Sequence, residues 1–152
     1  MARDFNGSSD RVRRHATPVS VATDDFTEAG WVWVDTTTGE RVYWSNGSEP
    51  NGYSIEQESG NIKLLVNGVV RHDTGTAIAS GSWIHLAFRR SSTTWQTYKD
   101  GIAIGTTITN APNTPAEGFS IGAQIQVLAS DTYFRFHDGR VAEFAHWNRA
   151  LA

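Results

Sequence analysis

The sequence predicts an all-β fold in which two antiparallel sheets pack face to face as a jelly-roll sandwich. Three observations support this fold class. Roughly twelve short segments are rich in alternating apolar, β-branched and aromatic residues, turn sequences separate them at regular intervals, and no segment has convincing helical periodicity. A chain of 152 residues is long enough to bury one sizeable core. We therefore expect residues 1–152 to form a single domain.

The clearest strands lie in Gly81–Gly105, which predicts a three-stranded meander. Trp83–Arg90 alternates strictly, with apolar residues at every second position. Trp95–Lys99 is the return strand, rich in aromatic and β-branched residues. Asp100-Gly101 is typical of a tight two-residue turn, after which Ile102–Ile104 pairs back. The remaining strands are expected to surround this meander.

Phe26–Val34 is the strongest of the other predicted strands. Trp31 and Trp33 lie on one face and two valines on the other, so both faces are apolar and we expect a central strand that is covered on both sides. Glu28 falls on the valine face. A lone carboxylate there would be costly unless it were paired, and an arginine is the expected partner.

The other predicted strands are shorter and are separated by Gly-, Asn- and Ser-rich turns. They are Ala2–Phe5, Arg11–His15, Thr17–Ala22, Arg41–Ser45, Tyr53–Glu58, Ile62–Val66, Val69–His72, Phe119–Ala123, Tyr133–Phe136 and Arg140–Trp147. The longer connections are predicted as loops, and they are Asn46–Gly52, Asp73–Ser82, Asn110–Gly118 and Gln124–Thr132.

Composition excludes several classes of function. Charged residues make up 19% of the chain and the formal net charge is −3, which is not typical of a nucleic-acid-binding protein. There are no cysteines, so disulfides contribute nothing. No apolar run is long enough to cross a membrane, and the charged N-terminal residues are not followed by the apolar run of a secretory signal.

Five segments resemble motifs of a known family and follow its order along the chain. They are Phe5–Val12, Phe26–Val32, Trp83–Ala87, Tyr98–Gly101 and Gly139–Leu151. They are similar to motifs of the laminin-G-like, or concanavalin A-like lectin and glucanase, jelly-roll domains, including the closing Trp-Asn-Arg-Ala-Leu. The resemblance implies the sandwich fold over residues 5–151. It implies little about function, because most of these residues form strand cores and turns.

Some members of that family are glucanases that place two glutamates on one strand. Retaining hydrolysis needs two carboxyl groups about 5–5.5 Å apart. The closest match here is Ile55–Glu58, in which Glu56 and Glu58 share a strand face but Gln57 stands where the family has aspartate. We therefore expect no enzymatic activity, and a degenerate glucanase is kept only as a further alternative.

No cofactor or metal site is predicted. Some relatives bind calcium at the rim of the sandwich, and Asp10, Asp131 and Asp138 could supply oxygen ligands, but the sequence has no dense aspartate run. His72 and His137 each precede an aspartate in a predicted loop or strand end. We expect both histidines to be exposed to solvent rather than to act in catalysis.

Residues around one predicted loop have the types that bind sugars. A sugar has an apolar CH face and a rim of hydroxyl groups, so it binds an exposed aromatic ring beside amide groups. The candidate ligand-binding residues are Tyr43, Trp44, Asn46, Asn51 and Tyr53. The alternative is that Trp44 and Tyr53 are ordinary core aromatics.

The favoured function is a non-catalytic surface module with a structural or adhesive role. Because such domains normally act outside cells and no export signal is evident, the leading hypothesis is a phage virion decoration protein, made in the host cytoplasm and displayed on the virion surface. Its partners would be capsid or tail proteins and a cell-surface glycan, and a homo-oligomer stays open. The alternative is an extracellular, lectin-like carbohydrate-binding domain from a larger secreted protein.

Four arginines near the N-terminus form the candidate docking patch for a protein partner. They are Arg3, Arg11, Arg13 and Arg14. Clustered like charges of this kind attract an acidic surface. The simpler alternative is a solvated strand face.

Overall fold

The computed structural model describes residues 1–14, 18–21, 23–48, 50–115, 117–127 and 132–152. These residues form fourteen strands and contain no helix. The strands make two sheets that face each other across a common core, which confirms the predicted all-β, two-sheet antiparallel jelly-roll sandwich. No helix in the described part of the chain is long and apolar enough to span a membrane.

The strands follow the chain at short intervals, as the regular turn sequences predict. They are β1 (Ala2–Asn6), β2 (Val12–Arg14), β3 (Phe26–Val34), β4 (Arg41–Ser48), β5 (Asn51–Glu58), β6 (Asn61–Val66), β7 (Val69–Ala77), β8 (Trp83–Ser91), β9 (Thr94–Lys99), β10 (Ile102–Thr109), β11 (Phe119–Ile121), β12 (Gln124–Val127), β13 (Thr132–Phe134) and β14 (Asp138–Trp147).

The two sheets differ in size and order. The six-stranded sheet has the order β1-β14-β3-β8-β9-β10 and contains the predicted meander as β8, β9 and β10. The eight-stranded sheet has the order β13-β12-β4-β5-β6-β7, with β11 also paired to β4 and β2 paired to β11. The pairs are antiparallel except for one parallel contact between β12 and β4. In the six-stranded sheet β3 is central, between β14 and β8.

An aromatic cluster fills the space between the sheets. Phe26 stacks on Tyr53 across the core with ring centroids 5.0 Å apart, and Trp95 packs edge-on against Phe26 at 5.4 Å. Trp44 stacks on Phe88 at 6.0 Å. These rings come from both sheets, so burial of their apolar area fixes how the sheets face each other.

Glu28 is buried in this core, but its partners are not the expected arginine. Tyr53 donates its hydroxyl to Glu28 Oε1 at 2.8 Å, and His146 Nδ1 lies 3.0 Å from the same oxygen. Burial raises the pKa of Glu28, and the contact with His146 opposes that rise. The same contact raises the pKa of His146 against the effect of its own burial. The carboxylate is therefore a structural group within the core.

Several predicted boundaries are wrong. The glycine-rich segment at 46–52 is not a simple loop, because β4 runs to Ser48 and β5 begins at Asn51. Gly52 allows this close pairing with φ +108°, since a Cβ there would lie 1.9 Å from the Asn46 carbonyl oxygen. Part of the predicted loop after Ala123 is β12. Residues 18–21 are not a strand, while His15, Thr17 and Ala22 lie outside the described residues.

The two histidines expected at the surface are buried. His137 is 0% exposed, lies between Phe5 and Tyr43, and has Nε2 3.1 Å from the Trp33 carbonyl oxygen. Loss of solvent lowers the pKa of His137 to about 4. His72, in β7, is 5% exposed, and burial lowers its pKa as well. The prediction that both histidines are exposed to solvent is therefore wrong.

Candidate functional site

The predicted sugar-binding aromatics do not form an exposed surface. Trp44 and Tyr43 are 0% exposed and Tyr53 is 4% exposed, because they point from the eight-stranded sheet into the core. Asn46 is also buried, and its amide donates to the Ser20 carbonyl oxygen at 2.8 Å. The prediction that these rings are open to a ligand is wrong.

Asn51 is the exception among the predicted ligand-binding residues. It is partly exposed at the start of β5, and its side-chain oxygen accepts a hydrogen bond from Asn113 at 3.2 Å. Its role in ligand binding stays a prediction. Because the neighbouring aromatic rings are buried, Asn51 has no exposed stacking partner from the predicted set.

The predicted docking arginines are at the surface, but two of them already contact a tyrosine. Arg3, Arg13 and Arg14 are exposed and Arg11 is partly exposed. The Arg11 guanidinium lies 4.2 Å from the centre of the Tyr133 ring, and Arg13 Nη1 is 3.4 Å from the Tyr133 hydroxyl. The docking role stays a prediction, with Arg3 and Arg14 as its most open members.

The two glutamates of the glucanase comparison are each held next to a cation. Glu56 is 1% exposed and lies 3.9 Å from Arg135, while Glu58 lies 2.7 Å from Lys63. An acid and a nucleophile in a retaining enzyme must both reach the sugar. A carboxylate that is buried beside an arginine does not have that access. Glu56 and Glu58 are therefore not arranged as the catalytic pair of a retaining enzyme.

The outer face of the eight-stranded sheet is covered around Glu56. Ser45 and Ser120 on this face are 0% exposed, and both hydroxyls donate to the Ala123 carbonyl oxygen just before β12. Arg135, just after β13, donates to Gln124 at 2.8 Å. The chain around β12 and β13 therefore closes this face over a buried polar cluster.

The outer face of the six-stranded sheet is open and carries most of the tryptophans. Of the six in the chain, four lie on this face, which we call the tryptophan face: Trp31, Trp33, Trp83 and Trp147. The exposed fractions are 39% for Trp31, 38% for Trp83 and 37% for Trp147. The prediction that β3 is central is confirmed, but the expectation that both its faces are covered is wrong.

Strand alternation and one bulge place these rings together. The odd-numbered residues of β3 and β8 point outward, and Trp33 pairs with Trp83 while Trp31 pairs with His85. In β14 the pairing shifts between Ala142 and Ala145, where Glu143 has φ +52°. This bulge adds one residue, so Phe144 and His146 point into the core and Trp147 points outward.

A row of alanines crosses the middle of the tryptophan face. Ala145 pairs with Ala29, Ala29 with Ala87, and Ala87 with Tyr98. Their short side chains leave a trough of about 310 Å³ whose lining includes Ala29, Ala87, Tyr98 and Trp147. Trp147 and Tyr98 lie on strands three steps apart, about 14 Å across the sheet. The trough therefore has a flat apolar floor with an aromatic ring toward each end.

A second depression lies beside the trough. This cleft has a volume of about 300 Å³ and is lined by Trp31, Trp83, Ala142 and Glu143. Trp31 packs edge-on against His85, with ring centroids 5.2 Å apart, and His85 lines the trough. The Trp31–His85 pair is therefore the wall shared by the cleft and the trough.

Trp33 is less available than its neighbours. The Arg140 guanidinium lies 5.2 Å from the centre of its ring, and its indole donates to Asp35 at 2.8 Å. Trp83 also packs against it with ring centroids 5.8 Å apart. Trp33 thus supports Trp83 rather than offering a free ring.

Polar groups border the trough without filling it. Arg89 and His85 line it, and Arg89 Nη1 donates to the Leu151 carbonyl oxygen at 2.8 Å. In the described part of the chain, no group of three or more His, Cys, Asp or Glu side chains is arranged to hold a metal ion. Asp131, one of the calcium candidates, lies outside the described residues. The trough can therefore bind a ligand that has an apolar face and polar groups around its edge.

The alternation of residues along the predicted strands already indicated part of this site. Trp31, Trp33 and Trp83 occupy outward positions in their predicted strands, and a face with three tryptophans is unusual unless another layer or a ligand covers it. The sequence interpretation assigned another layer to that face. Trp147 and Tyr98 gave no such signal, because their position depends on the bulge in β14 and on the sheet order.

Solved structures with the same fold share little sequence with this chain. No curated protein sequence is significantly similar to it. Domain 4 of AbnA, a GH43 extracellular arabinanase from Geobacillus stearothermophilus, solved with arabinotriose, has a TM-score of 0.75 and 21% identity, covering 99% of this chain and 72% of that one. The Ruminococcus gnavus IT-sialidase CBM40, bound to α2,3-sialyllactose, has a TM-score of 0.67 and 8% identity, covering 100% and 94%.

A third similar structure comes from a toxin. The binding domain of botulinum neurotoxin serotype D has a TM-score of 0.67 and 10% identity, and the match covers 97% of this chain but only 39% of the other. At these identities the likeness shows the fold alone. The family profile Laminin_G_3, described as the concanavalin A-like lectin/glucanases superfamily, matches residues 6–152. The chain therefore belongs to the concanavalin A-like lectin/glucanase superfamily.

Proposed function

We propose that this chain is a non-catalytic carbohydrate-binding module that binds glycans on its tryptophan face. The observation that carries the proposal is the set of half-exposed rings of Trp31, Trp83 and Trp147 around two apolar depressions on one open sheet face. Sugars stack their CH faces on such rings, while groups such as Arg89 and His85 meet their hydroxyl rim.

The similar structures support this choice over the virion hypothesis. The arabinanase domain and the CBM40 were both solved with oligosaccharides, and the neurotoxin domain is a binding domain. None of these three is a virion protein, so a phage particle with capsid or tail partners stays a prediction without support from them. A glycan-binding module acts where polysaccharides occur, so we favour an extracellular location.

Calorimetric titration against soluble polysaccharides, guided by a glycan array, tests the proposal. We expect Trp31→Ala and Trp147→Ala each to weaken binding by about 30-fold, because loss of a central aromatic contact typically removes 2 kcal/mol or more. The sugars should be recovered uncleaved after long incubation. Retained affinity in both variants would exclude the tryptophan face as the binding site.

Val69→Ala is the matched control for these variants. Val69 is 48% exposed, but it lies in β7 of the other sheet, so its truncation removes exposed apolar surface away from the tryptophan face. Its affinity should equal that of the unmodified protein. Thermal melts of all variants show whether any loss of binding comes from unfolding, and gel filtration with light scattering shows whether self-association covers the tryptophan face.

A further inference from the structure

The cleft and the trough lie side by side along the strands. The cleft is centred on Trp31 and Trp83, and the trough extends past Ala29 to Thr27 and Arg89. Trp31 lies four residues after Thr27 in β3, which corresponds to about 13 Å at 3.3 Å per residue. The combined site is therefore longer than one sugar ring in the strand direction.

The wall between the two depressions presents exposed aromatic surface. Trp31 is 39% exposed and its ring lines the cleft, while its partner His85 lines the trough. A ligand that occupies both depressions must cross this pair and covers the exposed part of Trp31. Crossing adds aromatic contact, so the wall joins two adjacent subsites instead of separating two unrelated ones.

The lining of the two depressions differs. The trough has two aromatic rings, Tyr98 and Trp147, over an alanine floor, and its charged side chain is Arg89. Fewer residues line the cleft than the trough. The charged side chain of the cleft is Glu143, which is exposed on the β14 bulge. The trough therefore offers a single sugar the larger contact area, and the cleft adds contact only to a ligand that extends beyond the trough.

We propose that the tryptophan face binds the interior of an unbranched glycan chain, with several consecutive sugars lying roughly parallel to β3 and β8 from the trough across Trp31 into the cleft. This inference rests on the proposed function and specifies its ligand class. Both depressions are open to solvent rather than enclosed. A chain segment is therefore favoured over the single terminal sugar that a closed pocket selects.

Calorimetry with oligosaccharides of increasing length tests the inference on the complete chain. The probes are linear arabino-, xylo-, gluco- and manno-oligosaccharides of one to six sugars. For at least one series we expect affinity to rise by 10-fold or more from the monosaccharide to the tetrasaccharide and then to level off. An affinity that does not change with length would overturn the chain-binding inference while leaving glycan binding intact.

Two variants separate the subsites. Trp83→Ala removes a wall of the cleft, so it should weaken hexasaccharide binding about 5-fold or more and leave disaccharide binding unchanged. Trp147→Ala removes a ring of the trough and should weaken both. Equal effects of Trp83→Ala at all lengths would overturn the inference. If no series, and no glycan on the array, binds the unmodified protein, the proposed function itself fails.

Discussion

The two sheets present opposite surfaces to solvent, although both are built from the same alternating strands. On the eight-stranded sheet, Ser45, Ser120 and Glu56 point outward yet are at most 1% exposed, because the chain around β12 and β13 packs over them. On the six-stranded sheet, Trp31 and Trp83 point outward and are 39% and 38% exposed. The hydrophilic outer face is closed around Glu56, whereas the aromatic outer face is open.

This contrast is the reverse of what solubility alone would favour. Polar side chains are ordinarily left in water and large aromatic rings are covered. A contiguous aromatic surface that is open to solvent is typical of a binding site. On the eight-stranded sheet, Glu56 is 1% exposed beside Arg135 and is not accessible to a sugar. The comparison therefore supports the proposal that ligands bind on the six-stranded sheet.

The largest expected effect contrasts an interior tryptophan with an open one. Trp44→Ala should lower the free energy of unfolding by about 3–5 kcal/mol, because the 0% exposed ring stacks on Phe88 and its removal leaves a cavity. Trp31→Ala should cost about 1 kcal/mol or less, since much of that ring already contacts water. Urea unfolding monitored by circular dichroism measures both.

For glycan affinity, we expect the larger loss in Trp31→Ala and the smaller loss in Trp44→Ala, the reverse of their order in stability. Trp31→Ala should lose affinity for the glycan, whereas Trp44→Ala should keep it at temperatures where the variant is folded. Similar unfolding free energies for the two variants would mean that the contrast between an interior and an open tryptophan is wrong.

The second expected effect is a loss of stability at low pH. His137 is buried and its folded-state pKa is lowered to about 4 from an ordinary value of 6.5. A lowered pKa stabilises the fold above pH 6.5, and this contribution is lost as pH falls through the folded-state pKa. The difference in unfolding free energy between the unmodified protein and His137→Asn should therefore shrink by roughly 3 kcal/mol between pH 7 and pH 4.

Other buried groups make the difference measurement necessary. The pKa values of Glu28 and His146 are raised in the folded state, so their contributions are lost as pH rises, above 4.5 for Glu28 and above 6.5 for His146. The lowered pKa of His72 acts in the same direction as that of His137. A difference between the unmodified protein and the variant that is constant with pH would show that His137 does not carry the effect.

Much of the fold follows from local sequence. Strict alternation in Trp83–Arg90 and the Asp100-Gly101 turn specify β8, β9 and their hairpins almost to the residue. The exposure of a particular ring does not follow from such patterns, because Trp31 and Trp44 both sit in predicted strands. Which of them faces solvent depends on whether another segment covers that face, and this is set by contacts distant in sequence.

The β14 bulge shows a second limit of sequence reasoning. Alternation continued from Val141 would place Trp147 in the core, but the extra residue at Glu143 reverses the phase of everything after it. Positive φ is ordinarily read from Gly, Asn or Asp, and glutamate gives no such signal. The ring at one end of the trough was therefore predictable only from the pairing of β14 with β3.

The smallest expected effect tests this bulge, on which the open face depends. Glu143 has φ +52°, a conformation that glycine adopts freely and β-branched residues resist. Glu143→Ile should therefore have an unfolding free energy about 1–2 kcal/mol lower than that of Glu143→Gly, because only isoleucine has a Cβ that is crowded in this conformation. Because both variants remove the carboxylate, their difference isolates the backbone strain. Equal stabilities would mean that the bulge is not held at Glu143, and the outward position of Trp147 would then need another cause.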